Sequence, residues 1–350
     1  MVDPLVTTVG RTTLRNPIIA GPADHLIDGE GVRRAIKSGV GAVVLKSINE
    51  TQNAKDQLQS AEYLALDEYW RPVPWGPQAP RTATIANRTG LGAASFDEWL
   101  DSAIRVDREA RAHDALVVAS IILADMDHML TMARRVEQAG IRVLELNIGT
   151  PYAREAKTNT VTTELDPARV HSIVSTVRKA ISIPIWVKTT GQSERVPDLA
   201  EAAFRAGADA VVMAGRLLGL IPDVDTMKPM LDTALGIGGY WNLPMTCYWL
   251  AASRSKLGRD KPLIGINGAQ NGLDVARMML AGASAVEIAS AVQLRGYDVL
   301  SNALIEFERY VAEKNVSAID LVGRAADARK SFADMPPRPG NWRKYIPGAA

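Results

Sequence analysis

Short apolar runs recur along the chain, separated by longer stretches in which apolar residues return every three or four positions. The runs are Ile18 to Ala20, Ala42 to Leu45, Leu116 to Ile121, Val143 to Leu146, Ile185 to Val187, Ala210 to Met213, Leu263 to Ile266 and Ala285 to Ile288. Most are near-continuous rather than alternating, as parallel strands buried on both faces are. The stretches between them predict helices over Phe96 to Ala112, Met126 to Gln138, Pro167 to Ala180, Pro197 to Ala206 and Leu273 to Ala281. Ser38-Gly39, Ala139-Gly140, Ala206-Gly207 and Ala281-Gly282 each stand shortly before an even-numbered run. Glycine there suits the left-handed end of a helix. Eight βα repeats with right-handed crossovers predict an α/β fold, a (β/α)8 barrel in preference to an open doubly wound sheet.

Three segments fall outside the repeat. Val6 to Leu14 alternates about Gly10-Arg11 and predicts a hairpin that closes the bottom of the barrel. The stretch after the second run, with Tyr69, Trp70, Trp75 and the proline-rich Arg71 to Pro80, predicts an extended loop: a lid, a surface plug or a dimer contact. From Phe332 onward the prolines predict an irregular tail pinned by its aromatics. No Gly/Ser-rich or Pro-rich linker divides the chain, so residues 1–350 are expected to form one domain, with the barrel over about 16–315.

Composition narrows the class of function. A formal charge of +1 gives no reason to invoke nucleic acid or an anionic membrane. No apolar run reaches the roughly 20 residues of a membrane span, and the N-terminus lacks the pattern of a signal peptide. A single cysteine excludes an internal disulfide or a cysteine-ligated cluster within one chain. A cytoplasmic enzyme is expected.

Catalytic groups of such barrels come from the C-terminal ends of the strands. Those ends read Gly21-Pro22-Ala23-Asp24-His25, Lys46-Ser47, Ser120, Asn147 to Tyr152, Lys188-Thr189-Thr190 and Ala214-Gly215-Arg216. The last two ends are Gly265-Ile266-Asn267-Gly268 and Ile288-Ala289-Ser290, small and hydroxyl-bearing turns after strands 7 and 8, where a phosphate cup is expected. No His and carboxylate cluster has metal-ligand spacing. A lysine at a strand end forms a Schiff base, neutralises a cofactor's developing anion, or makes a structural ion pair. Two of them, Lys46 and Lys188, favour a large anionic cofactor. Glu145 shares the strand side of Asn147 and is a candidate ion-pair partner for Lys188. His25 reads as a loop-packing residue, Cys247 as a buried inert thiol, and Arg254, Lys256 and Arg259 as solvated surface.

With these motifs in order, the chain resembles the class 1 dihydroorotate dehydrogenase family, which includes the flavin domain of dihydropyrimidine dehydrogenase. Asn16-Pro17-Ile18-Ile19, Leu45-Lys46-Ser47, Ile85 to Gly92, Leu144 to Pro151, Val187-Lys188, Gly236 to Gly239, Ile264 to Gly268 and Glu287 to Ala291 carry the resemblance. It implies bound FMN, and no dinucleotide fingerprint suggests FAD. By resemblance Ala23, Lys46, Ser47, Asn87, Ser120, Asn147, Lys188 and Met213 surround the flavin ring. Gly238, Gly239, Asn267, Gly268, Ala289 and Ser290 hold the phosphate end. The substrate is implied to meet Asn87, Thr89, Gly90, Leu91, Asn147, Tyr152, Ala214 and Gly215, with Lys46 on the substrate face. Where the family has a cysteine or serine base this chain has Thr150, which either relays a proton with help from water or a neighbour, or only packs. Four asparagines grip the pyrimidine in the family; two are matched here, and Tyr152 and Ala214 take the other places. Each unsatisfied buried polar group costs roughly 1–3 kcal/mol, so the substitutions argue for a rebuilt site or a substrate other than orotate.

Three functions follow as expectations. The first is an FMN-dependent oxidoreductase acting on a C–C bond of a pyrimidine-like or other cyclic amide, with Thr150 and Lys46 at the chemistry, a small-molecule substrate, an unnamed electron acceptor and a homodimer. The second is a phosphosugar isomerase or Schiff-base lyase on the same barrel. The third is a flavin-binding protein without turnover. A yellow protein excludes the second, and photoreduction followed by reoxidation separates the first from the third.

Overall fold

The computed structural model describes residues 3–150, 163–213 and 215–347. Eight parallel strands close a barrel: β1 (Ile18–Ala20), β2 (Ala42–Val44), β3 (Leu116–Ile122), β4 (Leu144–Asn147), β5 (Ile185–Lys188), β6 (Ala210–Met213), β7 (Leu263–Ile266) and β8 (Ala283–Ile288). Each strand pairs with its neighbours in sequence, and β8 closes against β1. All eight expected runs are strands. The outer helices are α1 (Gly29–Lys37), α2 (Phe96–Arg111), α3 (Met126–Gln138), α4 (Pro167–Ala180), α5 (Val196–Arg205), α6 (Leu243–Leu257), α7 (Gly272–Leu280) and α8 (Asp298–Lys314). The side chains of Asp28, Ser95, Asp125, Asp166 and Asn271 accept first-turn N–H groups of α1, α2, α3, α4 and α7, which fixes where those helices start. Gly39, Gly140, Gly207 and Gly282 all have the positive φ expected before the even strands.

Alternation along the strands sorts side chains into two layers. Outward residues such as Val117, Val187 and Val211 pack with the helices in the large core. Inward residues, among them Ile19, Val44, Val118, Trp186, Val212 and Ile264, fill the barrel, joined from below by Val9 and Leu14. These last two come from the hairpin of Thr7–Val9 and Thr12–Leu14. A hydrogen bond from Thr7 Oγ1 to the Ser284 carbonyl and the Arg11–Asp209 ion pair hold that hairpin at the strand N-termini. The hairpin plugs the bottom, as its alternation suggests. Pairing of β7 with β8 skips Ser284, so Ala283 faces the helices while Ala285 faces the barrel interior. A one-residue slip reverses the faces of everything beyond it, and here it turns Glu287 inward.

Other expectations meet corrections. The stretch after β2 is not only loop. Glu62–Leu66 and Thr84–Arg88 join Leu235–Gly238 and Leu217–Gly219 in a four-stranded antiparallel sheet beside the barrel mouth. Trp75 is tied down through Nε1 to the Gln293 carbonyl, while Tyr69 and Trp70 stay exposed. The tail aromatics Phe332, Trp342 and Tyr345 are exposed and do not pin it. Arg254 is buried rather than solvated, because it forms a two-pronged pair with Asp327 under the C-terminal turns. No helix among the described residues is long and apolar enough to cross a membrane.

Candidate active site

A cleft open to solvent lies at the C-terminal end of the barrel. One wall is the turn after β7. Asn267 has φ +71° and Gly268 φ +117°, and a Cβ on Gly268 would sit 2.5 Å from the Leu243 backbone nitrogen. Thr246 Oγ1 donates to the carbonyls of Ile266 and Asn267 and holds the turn from beneath. Gly238, directly beside the Asn267 side chain, Ala289 and Ser290 line the same cleft. Asn267 Nδ2 is buried with no partner among the described residues. A small-residue cup with a spare buried donor suits an anionic phosphate.

The opposite side carries charge. Lys46 Nζ lies 2.8 Å from Asp24 Oδ1, which also accepts from Thr89 Oγ1 at 3.1 Å, while Asp24 Oδ2 accepts from Gln293 Nε2 at 3.1 Å. Burial pushes the Asp24 carboxyl up, but the Lys46 ammonium, with Arg216 nearby, outweighs it and holds it down at about 2. Arg216 donates to Asn87 Oδ1 at 2.8 Å. Its place is set by Leu217–Gly219, the edge strand that begins at the next residue. The neighbouring His25 is a packing residue: it lies edge-on to Tyr297, and burial lowers its imidazole to about 4.

Inward positions of β3, β4, β5 and β8 build a buried polar cluster. Lys188 Nζ is 2.7 Å from Glu145 Oε2 and 2.9 Å from Glu287 Oε2. Glu145 Oε1 accepts from Ser120 Oγ at 2.8 Å, and Ser120 Oγ is 2.8 Å from Ser47 Oγ. Lys188 is 6 % exposed, Glu287 1 % and Glu145 0 %. Burial lowers the Lys188 ammonium, but the two carboxylates override it and the net direction is up. Burial drives Glu287 up to about 8, against the pull of Lys188. Lys188 is therefore held charged, the opposite of what a Schiff-base nucleophile needs. The expected Glu145–Lys188 pair is present.

Of the residues expected at the site, Ala23, Lys46, Ser47, Thr89, Gly90, Leu91, Asn147, Thr150, Lys188, Gly215, Gly238, Asn267, Gly268, Ala289 and Ser290 line this one cleft. Asn87 and Ser120 stand one layer behind, against Arg216 and Ser47. Gly239 is off the lining, next to Trp241. Met213 occupies an outward phase of β6, and its side chain packs among the helices instead of the cleft. Thr150 Oγ1 donates weakly to Asn147 Oδ1 at 3.4 Å. Tyr152 and Ala214 lie outside the described residues. Arg216, Gln293 and Glu287 line the cleft without having been singled out. Cys247 is off the cleft, and burial lifts its thiol to about 11.

Residues 72–310, well over half the chain, match the family model described as dihydroorotate dehydrogenase. The chain belongs to the dihydroorotate dehydrogenase family. It is an oxidoreductase acting on a CH–CH donor, in a family that uses flavin. Similar curated proteins are named dihydroorotate dehydrogenase B (NAD(+)), catalytic subunit. The one from Methanocaldococcus jannaschii is 26 % identical over 92 % of this chain and 98 % of its own length. Those from Methanocella arvoryzae and Pyrococcus furiosus are 29 % and 28 % identical, covering 92 % and 89 % of this chain and 97 % and 96 % of their own. The crystal structure of the Eimeria tenella enzyme with ferulenol shares the fold, with a TM-score of 0.69 and 18 % identity over 93 % of this chain and 89 % of that one.

Proposed function

We propose that the chain binds FMN in this cleft and oxidises the CH–CH bond of a dihydropyrimidine-type cyclic amide, with dihydroorotate the first candidate. The observation that carries the proposal is the convergence of Lys188, Ser47 and Asn147 with the Asn267–Ser290 cup in one cleft. The residues fit the group: the cup, where Asn267 Nδ2 lacks an acceptor, would hold the phosphate, and Lys188, Ser47 and Asn147 would hold the ring. Bound there, the flavin supplies a hydride acceptor for one substrate carbon. Lys188, held protonated by Glu145 and Glu287, would place an ammonium donor where reduction adds negative charge. Thr150 would relay the proton from the neighbouring carbon to a water in the cleft, its oxygen accepting that proton as its own leaves, with Asn147 Oδ1 orienting the hydroxyl. Asn87, held by Arg216, and Thr89-Gly90-Leu91 orient the substrate; Lys46, neutralised by Asp24, shapes the same wall. Mass spectrometry of the cofactor released by heat is expected to find FMN; FAD, or no flavin after refolding with excess FMN, contradicts the assignment.

The relatives' name of catalytic subunit supports a separate electron-accepting subunit in place of a simple homodimer. The purified chain alone is then expected to take electrons from substrate yet reduce NAD+ only negligibly. Rapid NAD+ reduction by the chain alone counts against a missing subunit.

A further inference from the structure

The polar cluster inside the barrel holds two carboxylates and one ammonium, and its proton count has a consequence for the cleft. Glu287 meets Lys188 from β5 and Glu145 from β4. Its register partners on β1 and β7 are Ile19 and Ile266, both apolar. The other charged residues on the cleft lining are Asp24, Lys46 and Arg216, and the first two pair with each other. A surplus negative charge sealed from water costs several kcal/mol, so the cluster retains a proton at neutral pH.

Geometry locates it. Glu145 Oε1 accepts from Ser120 Oγ, and its Oε2, though without a directed hydrogen bond, lies 2.7 Å from the Lys188 ammonium. Glu287 has Lys188 on Oε2, but its Oε1 is buried with no partner among the described residues, and the residue lines the cleft. Gly21 leaves it room: a Cβ there would stand 3.1 Å from Glu287 Cβ and 3.3 Å from Oε2. A protonated carboxyl needs an acceptor for its O–H as much as an ionised one needs donors.

We propose that Glu287 is a neutral carboxylic acid whose Oε1–H donates a hydrogen bond into the cleft, to an acceptor atom of the flavin ring. Glu287 is then a positioning residue. With it neutral, Lys188 and Glu145 cancel, and two donors, Lys188 and Glu287, point to the side where the ring gains charge. When it ionises, a carboxylate replaces one of those donors, and both cofactor retention and reduction suffer. The proposal rests on the flavin assignment above, but the protonation itself does not.

The tests separate the two. Infrared difference spectra of cofactor-free protein, wild type minus Glu287→Gln near pH 6.5, are expected to show a protonated carboxyl C=O band that shifts in heavy water. In the unaltered protein the band is expected to titrate away as pH rises through about 8. No such band overturns the neutral acid, whatever the cofactor. In the FMN-loaded protein, affinity is expected to fall about tenfold from about pH 7 to about pH 9.5, the size of a lost hydrogen bond to a charged or polar partner. In Glu287→Gln it should fall less than about twofold over that range, and the midpoint potential should lose the matching extra slope with pH. A band with identical affinity and potential profiles in both proteins overturns the hydrogen bond to the flavin.

Discussion

Replacing Lys188 with methionine is expected to destabilise the protein by about 3–5 kcal/mol, the usual cost of removing one partner from a buried ion pair. Lys188 Nζ is the shared partner of Glu145 and Glu287, 2.7 and 2.9 Å away, and both glutamates are buried. The loss should grow with pH, because Glu287 can ease the strain only while it holds a proton. Adding Glu145→Gln to Lys188→Met should restore most of the stability, since the two residues act as one unit. Chemical denaturation of the single and double variants checks this. The single variant should also lose flavin retention and lower the flavin's potential more than Lys46→Ala, because it leaves two buried carboxyl groups, Glu145 and Glu287, without their cation, whereas Lys46→Ala leaves only Asp24. A Lys188→Met protein as stable as wild type, with an unchanged potential, removes Lys188 from the cofactor site.

Thr150→Val is expected to slow flavin reduction by substrate roughly 10²–10⁴-fold, the range for a positioned proton-transfer group. Valine keeps the branched shape and removes the hydroxyl that reaches Asn147 Oδ1. Reoxidation of flavin already reduced should change little, because that step takes no proton from the substrate carbon. Thr150→Ser should keep most of the rate. Stopped-flow absorbance on each half-reaction measures both. Normal reduction by Thr150→Val leaves Thr150 a packing residue. Asp24 is a poor substitute, because its carboxyl, held at about 2 by Lys46, is too weak a base to draw a proton from carbon efficiently.

The barrel was legible because its signals are local. Near-continuous apolar runs, a glycine after alternate helices and small turns after β7 and β8 each lie within a few residues. Glu145 and Lys188 could be paired on paper because both occupy inward phases of neighbouring strands. The antiparallel sheet at the mouth was not legible, since Thr84–Arg88 pairs with Leu235–Gly238 across some 150 residues of chain and its polar Asn87 and Arg88 do not read as a strand. Met213 was misplaced because a strand end offers two faces, and the inward phase on β6 belongs to Val212. Glu287 escaped notice for a subtler reason. Its direction depends on the skipped residue at Ser284, and a register slip of that kind leaves no mark in the hydrophobic pattern. Arg254 and the tail aromatics failed together: a basic side chain went inside to meet Asp327, while aromatic ones stayed outside.

Anaerobic mixing of the FMN-loaded protein with dihydroorotate is the most direct measurement. The expected result is loss of the oxidised-flavin absorbance, with orotate appearing in equal amount. Flavin that stays oxidised with dihydroorotate and with other dihydropyrimidines, yet bleaches normally with dithionite, would contradict a CH–CH oxidoreductase site for cyclic amides in this cleft.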